Sequence, residues 1–388
     1  MKSETPLAEK LRAQGIKVDT VADALNDKTE PVVVANVAPP RLEGQPEFPE
    51  PGIYFGMPEE TYHSIHACSA SGIKKMSTSS MDYWATSPLN PEREDDNETV
   101  ARTMGRAYHC RICEGADAFL ARYAVALDKD DFGDDLCVTV KDLRAAIEAA
   151  EGKPKGTAKD GLIEQLLDFN PNAMIWDRLV AAHEEENAGK TMISAKLYRR
   201  IEIANAMIEG DPQLKTAFAG GHAEVSIFWY DPATGAAMKA RLDYLKMNHL
   251  VDLKSFSNMQ GKPVQRAIDM AISNYKYFIP VVIYSEAIEA AKMMVKQTKG
   301  KCIHSPPEYG REDWLRQWCW DWAHQPTPEV LFVFQQTGIA PVTRGRIMGR
   351  GSVFTVTDFA VQFLKRKWVK CAKGYGTEPW LDLSLIHI

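Results

Sequence analysis

The stretch from Ala223 to Ser255 constrains the fold most strongly, because it reads as three short strands in succession. Its sequence is AEVSIFWYDPATGAAMKARLDYLKMNHLVDLKS, and the predicted strands are Glu224–Tyr230, Ala237–Leu245 and Leu250–Ser255. Between the first two strands, the segment Asp231–Gly235 carries proline and glycine at positions that favour a tight turn. The stretch therefore predicts a β-ribbon around which the rest of the chain must pack.

Two aspartates and a lysine lie on this ribbon. Asp252 and Lys254 are two residues apart, so their side chains leave the same face of the strand, whereas Val251 and Leu253 point to the other face and into a core. Asp243 lies near the end of the preceding strand, where a hairpin can place it beside Asp252. This arrangement predicts a metal site with an adjacent cation.

Such a site suits phosphodiester hydrolysis. Mg²⁺ prefers carboxylate oxygens, retains several waters and bridges to substrate phosphates. One or two such ions can generate hydroxide and orient it for attack, and a nearby lysine can offset charge in the transition state. The alternative is a surface hairpin on which Asp252 and Lys254 form an ordinary ion pair, because the bare pattern D-x8-D-x-K arises easily by chance.

Composition narrows the class of protein. A chain of 388 residues with 45% hydrophobic and 25% charged residues is typical of soluble globular proteins of about two domains. No apolar run approaches the roughly 20 residues of a membrane-spanning helix, and the start MKSETPLAEK lacks a signal-peptide core, so we expect a cytoplasmic protein without membrane contact. The seven cysteines favour a reducing compartment, and Cys110 and Cys113 are interpreted as buried thiols on a helix, with a redox or metal role as the alternative.

The net charge of −6 argues against a protein that coats nucleic acid, but it permits an enzyme with a local basic channel. Basic residues on or just after the ribbon form a candidate phosphate track, although a solvated face explains them equally: Lys239, Arg241, Lys246, Lys254, Lys262, Arg266 and Lys276.

The rest of the chain divides by composition. Residues 1–50 are proline-rich towards their end and predict an N-terminal arm and linker, while 51–388 form the main body. Within the body we expect a helical insertion at about 114–220 and an irregular, tryptophan-rich insertion at about 296–328, whose tryptophans form a small satellite core or stack on unpaired bases. A long helix is predicted from Pro263 to about Met294, kinked at Pro280.

A series of blocks in fixed order resembles the RecE-type exonucleases (exonuclease VIII), a branch of the PD-(D/E)XK nuclease superfamily. The blocks are GIYFGMPEETYH, SASGIKKM, GRAYHCRICE, GHAEVSIFWYDPATG, RLDYLKMNHLVDLKS and YKYF…YSEA, and they span Gly52 to about Trp380. The resemblance implies an α/β fold, a mixed sheet flanked by helices with a helical insertion.

By this resemblance Asp243 and Asp252 are metal ligands and Lys254 is the catalytic lysine. His109, which alone would be read as a structural histidine on a helix, matches the family's metal-binding histidine. Glu224 matches a position that binds a second metal or orients water, although an ion pair with Arg241 on the next strand is the alternative. The backbone carbonyl of Leu253 is a further candidate ligand.

The resemblance departs at one point. Tyr284 matches a family tyrosine, but the glutamine expected four residues earlier is Pro280. Because Pro280 has no side-chain donor or acceptor, it is not a candidate for DNA contact. The candidate DNA-binding residues are Tyr284, Arg241, Lys262 and Arg266. The family also carries an acidic residue in the helical region, for which Glu148, Glu151 and Glu164 are candidates.

The resemblance implies a Mg²⁺-dependent exodeoxyribonuclease, with Mn²⁺ able to substitute, that degrades one strand of linear double-stranded DNA 5′→3′. The resulting 3′ overhang would serve a single-strand annealing protein in a bacterial or prophage recombination system, and the assembly would be a ring-shaped homotetramer. Two alternatives remain: a structure-specific or defence endonuclease with the same site, and a non-catalytic DNA-binding assembly protein.

Overall fold

A mixed sheet of seven strands organises the molecule. The computed structural model describes residues 34–93, 100–309, 312–337, 342–348 and 352–381, so the first 33 residues of the expected arm lie outside the described residues. The strand order is β7-β1-β4-β5-β6-β8-β9, with a separate two-stranded sheet formed by β2 and β3. The strands are β1 (Gly52–Tyr54), β2 (Tyr123–Val125), β3 (Thr191–Ile193), β4 (His222–Tyr230), β5 (Ala237–Leu245), β6 (His249–Ser257), β7 (Ile303–His304), β8 (Glu329–Thr337) and β9 (Thr343–Met348).

The predicted ribbon forms the centre of this sheet as β4, β5 and β6. The turn after β4 closes where the sequence indicated, because Gly235 adopts a left-handed φ of 72° and its N–H donates to the Asp231 carbonyl at 2.7 Å. The Thr234 hydroxyl also donates to the Asp231 carboxylate at 2.6 Å. β6 then pairs in parallel with β8 over its whole length, which makes the sheet mixed, as expected.

Helices cover the sheet. They are α1 (Glu59–Ser64), α2 (Ala70–Met76), α3 (Ser80–Thr86), α4 (Val100–His109), α5 (Ala116–Arg122), α6 (Val140–Ala149), α7 (Lys159–Phe169), α8 (Trp176–Glu186), α9 (Ala195–Gly210), α10 (Val264–Asn274), α11 (Phe278–Thr298), α12 (Glu312–Ala323) and α13 (Ser352–Tyr375). None of the helices in the described part of the chain has the length and apolar character that crossing a bilayer requires.

The predicted long helix after β6 is wrong, because the structure has two helices there, α10 and α11. The chain breaks between them at Lys276, which has a left-handed φ of 51°. Pro280 therefore lies in the first turn of α11, where an N–H has no intrahelical acceptor, and it does not kink a helix interior.

The tryptophan-rich segment is also more regular than predicted. Trp314, Trp318, Trp320 and Trp322 lie on α12, and Trp322 is fully buried in the main apolar cluster of the sheet, not in a satellite core. The segment also contributes β7, which extends the sheet by pairing in parallel with β1.

Two large apolar clusters hold the sheet and its helices together. The first contains Ile227, Leu242 and Phe332 with residues of α11 and α13. The second joins Val251 and Leu253 to α4 and α9, so these two residues are buried in a core as predicted. A small separate cluster lies between α6 and α7 and contains Leu143, Ile147 and Leu162.

Candidate metal centre and its cleft

The site begins where β5 and β6 separate. Their antiparallel pairing covers Leu245–Leu250 and Tyr244–Val251, and the next opposed residues, Asp243 and Asp252, are not ladder partners. The backbone of Leu253 would continue the ladder if the strands stayed together. Instead its N–H donates to the Asp243 carboxylate at 2.9 Å, and its carbonyl lies 3.0 Å from His109 Nε2. The separation of the strands thus opens the sheet at the two predicted aspartates.

Asp252 and Lys254 lie on one face of β6, as the spacing predicted. Asp252 is fully buried, and the Lys254 ammonium forms an ion pair with it and lies 3.9 Å from Asp243. Burial, and then the negative charge of Asp243, raise the pKa of Asp252 to about 6. Burial lowers the pKa of Lys254, but the two carboxylates outweigh it and hold that pKa above its usual value, so Lys254 remains charged at neutral pH.

Glu224 lies on β4 directly opposite Asp243 and has a strained backbone. Its φ is 55°, in the left-handed region that a non-glycine side chain disfavours. The apolar neighbours on either side, Ala223 and Val225, pack into different clusters, although residues two apart on a regular strand share a face. The strain therefore marks a local reorientation of β4 next to the site.

The structure contains the ion pair between Glu224 and Arg241 that was the alternative to a metal-binding role for Glu224. Arg241 Nε lies 2.5 Å from the Glu224 carboxylate, and the guanidinium also donates to the Met57 carbonyl and the Ser226 hydroxyl. Burial, and then the charge of Asp243, raise the pKa of Glu224 even though Arg241 opposes this. Arg241 thus fixes Glu224 in place from within the protein.

His109 reaches the site from the last turn of α4. Its Nδ1 lies 3.5 Å from Asp243 Oδ2, while its Nε2 lies near the Leu253 carbonyl. The helix continues as a π-helical turn, Cys110–Glu114, in which Cys110 and Cys113 are buried free thiols with pKa values raised by burial. Such turns often occur beside functional sites.

The arrangement fits a divalent metal ion. One ligand atom each from His109, Glu224 and Asp243 lie within 4.8 Å of one another. Two carboxylates and one imidazole are groups that commonly bind divalent metal ions in proteins. The buried Asp252 lies beside the cluster, and one of its oxygens, Oδ2, is already paired with the Lys254 ammonium. The structure thus groups three of the four predicted ligands, and Asp252 pairs with Lys254.

A cleft of about 1220 Å³ opens over this cluster. Asp243, Glu224, His109 and Lys254 line it, so the predicted groups converge on accessible space. Tyr284 and Pro280 also line the cleft, as does Arg241, whereas Lys262 and Arg266 are not among the described residues that do. Burial, and then the charges of Asp252 and Asp243, raise the pKa of Tyr284 well above its usual range.

Most of the predicted phosphate track is occupied by internal contacts. Lys239 is buried and donates to the carbonyls of Tyr62 and Ile65 at 2.8 and 2.6 Å, so it fixes the end of α1 to β5. Lys246 donates to the Thr216 carbonyl, and Lys276 donates to the Ser77 hydroxyl at 2.7 Å. These three lysines therefore hold parts of the fold together. The alternative prediction of a solvated face is also wrong for Lys239, because this residue is buried.

Sequence reasoning missed Lys74. This residue lines the cleft from α2, and its ammonium lies 4.9 Å from the centre of the Tyr277 ring. Burial, and then the nearby charge of Lys254, lower the pKa of Lys74 to about 8. Its location in the block SASGIKKM was the available signal.

Sequence reasoning also missed Glu114. This residue lines the cleft, and its carboxylate accepts two hydrogen bonds of 2.6 Å from Arg122. The predicted acidic candidates Glu148, Glu151 and Glu164 are not among the described residues that line the cleft.

Known proteins resemble this chain at the level of a domain family. No curated protein sequence matches the chain. Among solved structures it resembles a putative exonuclease from Eubacterium rectale, with 13% sequence identity, a TM-score of 0.42, and coverage of 81% of this chain and 86% of that chain. The sequence matches the family described as a PDDEXK-like domain of unknown function (DUF3799) over residues 69–301, which include Lys74 and all the residues grouped around Asp243. The chain therefore belongs to this PDDEXK-like family.

Proposed function

We propose that the protein is a divalent-metal-dependent exodeoxyribonuclease that degrades linear double-stranded DNA from its ends. The observation that carries the proposal is the meeting of His109, Glu224 and Asp243 in an open cleft beside the Asp252–Lys254 pair. Membership in a PDDEXK-like family supports nuclease chemistry. The ordered resemblance to RecE-type enzymes supports the finer description: 5′→3′ polarity, 3′ overhangs for an annealing protein, and a tetrameric ring in the bacterial cytoplasm.

His109, Glu224 and Asp243 would hold the ion, with Asp252 next to them. When bound, a divalent ion supplies Lewis-acid activation of water and neutralises charge on the phosphate. The protein supplies the positions of the groups: Arg241 fixes Glu224, and the Leu253 backbone fixes both Asp243 and His109. These contacts leave few rotamers open to the ligands, which favours a preorganised site.

Lys254 acts as a cation in this mechanism. Because two carboxylates raise its pKa, it does not lose its proton near neutral pH and is not a general base. Its ammonium can donate to the attacking water or to a phosphate oxygen as negative charge develops there. Tyr277 and Phe332 lie within cation–π range of this ammonium, at 5.8 and 5.7 Å, and limit its movement.

The cleft has cationic groups suited to a phosphate backbone. Lys74 lies on one wall, and its charge is maintained at pH 7 because its pKa is about 8. Contacts of this kind follow phosphates and not base edges, so we expect hydrolysis with little sequence preference.

The test uses linear duplex DNA labelled at either the 5′ or the 3′ end, together with a covalently closed circle, in the presence of Mg²⁺ or Mn²⁺. We expect progressive release of mononucleotides from the 5′ end and an intact circle. Nicking of the circle would instead indicate an endonuclease with the same site, and binding without hydrolysis in either metal would indicate a DNA-binding assembly protein.

Variants then test the assignment of residues. Asp243→Asn and Lys254→Ala should each lower the hydrolysis rate by roughly 100-fold or more, since each removes a group that acts on the reacting phosphate. Glu164→Gln, on α7 in the helical insertion, provides a control that should retain the parent rate. If Lys254→Ala and Asp243→Asn digest linear duplex as fast as the parent, the site is misassigned.

A further inference from the structure

An aromatic group lies at one end of the metal cleft and has no role in the chemistry described above. Tyr309 and His222 line the cleft, and Trp314 from the start of α12 lies next to His222, with ring centres 5.6 Å apart. We call Tyr309 and Trp314, with His222 behind them, the aromatic rim. His222 is two residues from Glu224 on β4, so the rim begins about 7 Å along the strand from a candidate metal ligand.

The exposure of the rim is unusual for such large rings. Trp314 is 52% exposed and Tyr309 is 38% exposed, whereas Trp322 on the same helix is fully buried. The ring centres of Tyr309 and Trp314 lie 6.4 and 5.6 Å from that of His222. Exposed tyrosine and tryptophan rings are a common feature of binding surfaces, where one ring face is available to a ligand.

The rim is held rigidly before any ligand arrives. The Tyr309 hydroxyl lies 3.1 Å from His222 Nδ1, and the Tyr309 ring packs beside Phe55, with centres 5.9 Å apart. Gly56 lies so close that an added Cβ would come within 3.0 Å of the Tyr309 ring. His222 is itself fixed edge-on against Trp318, with ring centres 4.5 Å apart. A rigid platform binds a flat ligand with little loss of conformational freedom.

The chemistry at the two ends of the cleft differs. Lys74 and Lys254 provide positive charge for phosphates on the side of α2 and β6, while the rim provides aromatic faces on the side of β4. A nucleotide has both features, an anionic phosphate and a flat base. The base is accessible to such a rim only when it is unpaired, because a paired base is stacked within the duplex.

We infer that the aromatic rim stacks on an unpaired nucleobase of the DNA strand whose backbone enters the metal cleft. This inference rests on the proposed function for the identity of the strand. It adds that the cleft selects single-stranded DNA and therefore receives the end of a duplex only after the terminal bases separate.

The test measures binding without hydrolysis, in EDTA, with two fluorescein-labelled probes of equal length: an oligothymidylate and an oligomer of abasic residues. Both probes carry the same phosphates, so their difference reports the bases. The parent protein should bind the oligothymidylate roughly 5- to 100-fold more tightly, the range expected for stacking of one base. Equal binding of the two probes would overturn the inference.

Variants assign the preference to the rim. Trp314→Ala should remove most of the preference for bases while leaving binding of the abasic oligomer unchanged, and it changes a half-exposed residue, so folding is little affected. Tyr309→Phe, which keeps the ring, should bind like the parent, whereas Tyr309→Ala should not. Trp320→Ala is the matched control, because Trp320 lies on the same helix and is 39% exposed, but its ring packs beside His324, with ring centres 4.7 Å apart, whereas Trp314 packs beside His222.

Three results would contradict the inference. One is an equal loss in Trp320→Ala and Trp314→Ala. Another is full preference for bases in both Trp314→Ala and Tyr309→Ala. The third is a Trp314→Ala variant that sediments as a smaller assembly yet keeps the preference, which would make the rim a contact between copies of the chain. A parent protein that binds the two probes equally yet digests DNA normally in Mg²⁺ refutes this inference alone. A parent protein that shows the preference without any digestion refutes only the proposed nuclease function.

Discussion

Glu224 combines a candidate ligand with a strained backbone, and the two properties can be separated by substitution. Its φ of 55° costs a residue with a Cβ about 1–2 kcal/mol, and glycine avoids that cost. Glu224→Ala and Glu224→Gly both remove the carboxylate and leave Arg241 with its contacts to Met57 and Ser226, so the difference between the two variants isolates the backbone.

The size of the difference follows from two opposing effects. Relief of the left-handed strain favours glycine by about 1–2 kcal/mol, and the greater backbone freedom of glycine in the unfolded chain costs about 0.5–1 kcal/mol. The free energy of unfolding of Glu224→Gly should therefore exceed that of Glu224→Ala by about 0.75 kcal/mol, the middle of the resulting range. For a chain of this length the melting temperature should differ by about 1 °C.

The assay is urea and thermal unfolding of the two variants in EDTA, with hydrolysis of linear duplex measured separately in Mg²⁺. Both variants should lose most activity, because either one removes the carboxylate from the metal cluster. Glu151 provides a matched control: it is an exposed glutamate with a φ of 59° just after α6, so Glu151→Gly should likewise be more stable than Glu151→Ala, with full activity in both. The reasoning fails if Glu224→Ala is as stable as Glu224→Gly while the Glu151 pair differs as expected.

Further predictions concern charges inside the cleft and inside the core. Lys74→Met should lower the slope of log affinity for duplex DNA against log salt by about one, because one phosphate contact is lost, whereas Lys196→Met on α9 should not; an unchanged slope would exclude a phosphate contact. Because the pKa of Lys74 is about 8, parent affinity should fall as pH rises through 8, and Lys74→Met should lack that step in an anisotropy titration. Burial raises the pKa of Glu286 from 4.5 to about 7, although Lys365 opposes this shift. The carboxyl therefore favours folding by about 3 kcal/mol at low pH, where it is protonated, and this contribution is lost as pH rises through 7. Glu286→Gln should remove that part of the pH dependence in urea unfolding curves, and parallel parent and variant curves would show that Glu286 does not cause it. Lys365→Met should destabilise the protein by about 3–5 kcal/mol in the same assay, since it leaves Asp231 and Glu286 buried without their shared cation; a loss under 1 kcal/mol would contradict this account.

The central ribbon could be predicted from the sequence because its information is local. The alternation of side chains fixes Asp252 and Lys254 on one face, and the turn at Gly235 places β4 next to β5. His109 is different: it contacts the Leu253 carbonyl across 144 residues of sequence, and only the resemblance to a known family indicated it.

The errors share a physical origin in tertiary contacts that local pattern does not encode. The break between α10 and α11 occurs at Lys276, a residue type with no special preference for the left-handed conformation. Its ammonium donates to the hydroxyl of Ser77, the residue that follows α2. Lys239 reads as a surface cation, yet the carbonyls at the end of α1 bind it in the interior. In both places a partner distant in sequence determines the local structure. Lys74 was missed for the same reason, because the groups near it, Tyr277 and Lys254, are also distant in sequence.

The electrostatics of the site favour a bound divalent cation. Asp243, Asp252 and Glu224 place three carboxylates in a small, largely buried volume, and among the described residues Lys254 and Arg241 are the permanent cations that pair with them. The raised pKa values of Asp252 and Glu224 show that burial and mutual repulsion exceed what those cations offset. A raised pKa in a carboxyl means that holding its charge at neutral pH costs free energy in the folded protein. A divalent ion held by His109, Glu224 and Asp243 would offset that cost. We therefore expect metal binding to raise the free energy of unfolding through these carboxylates.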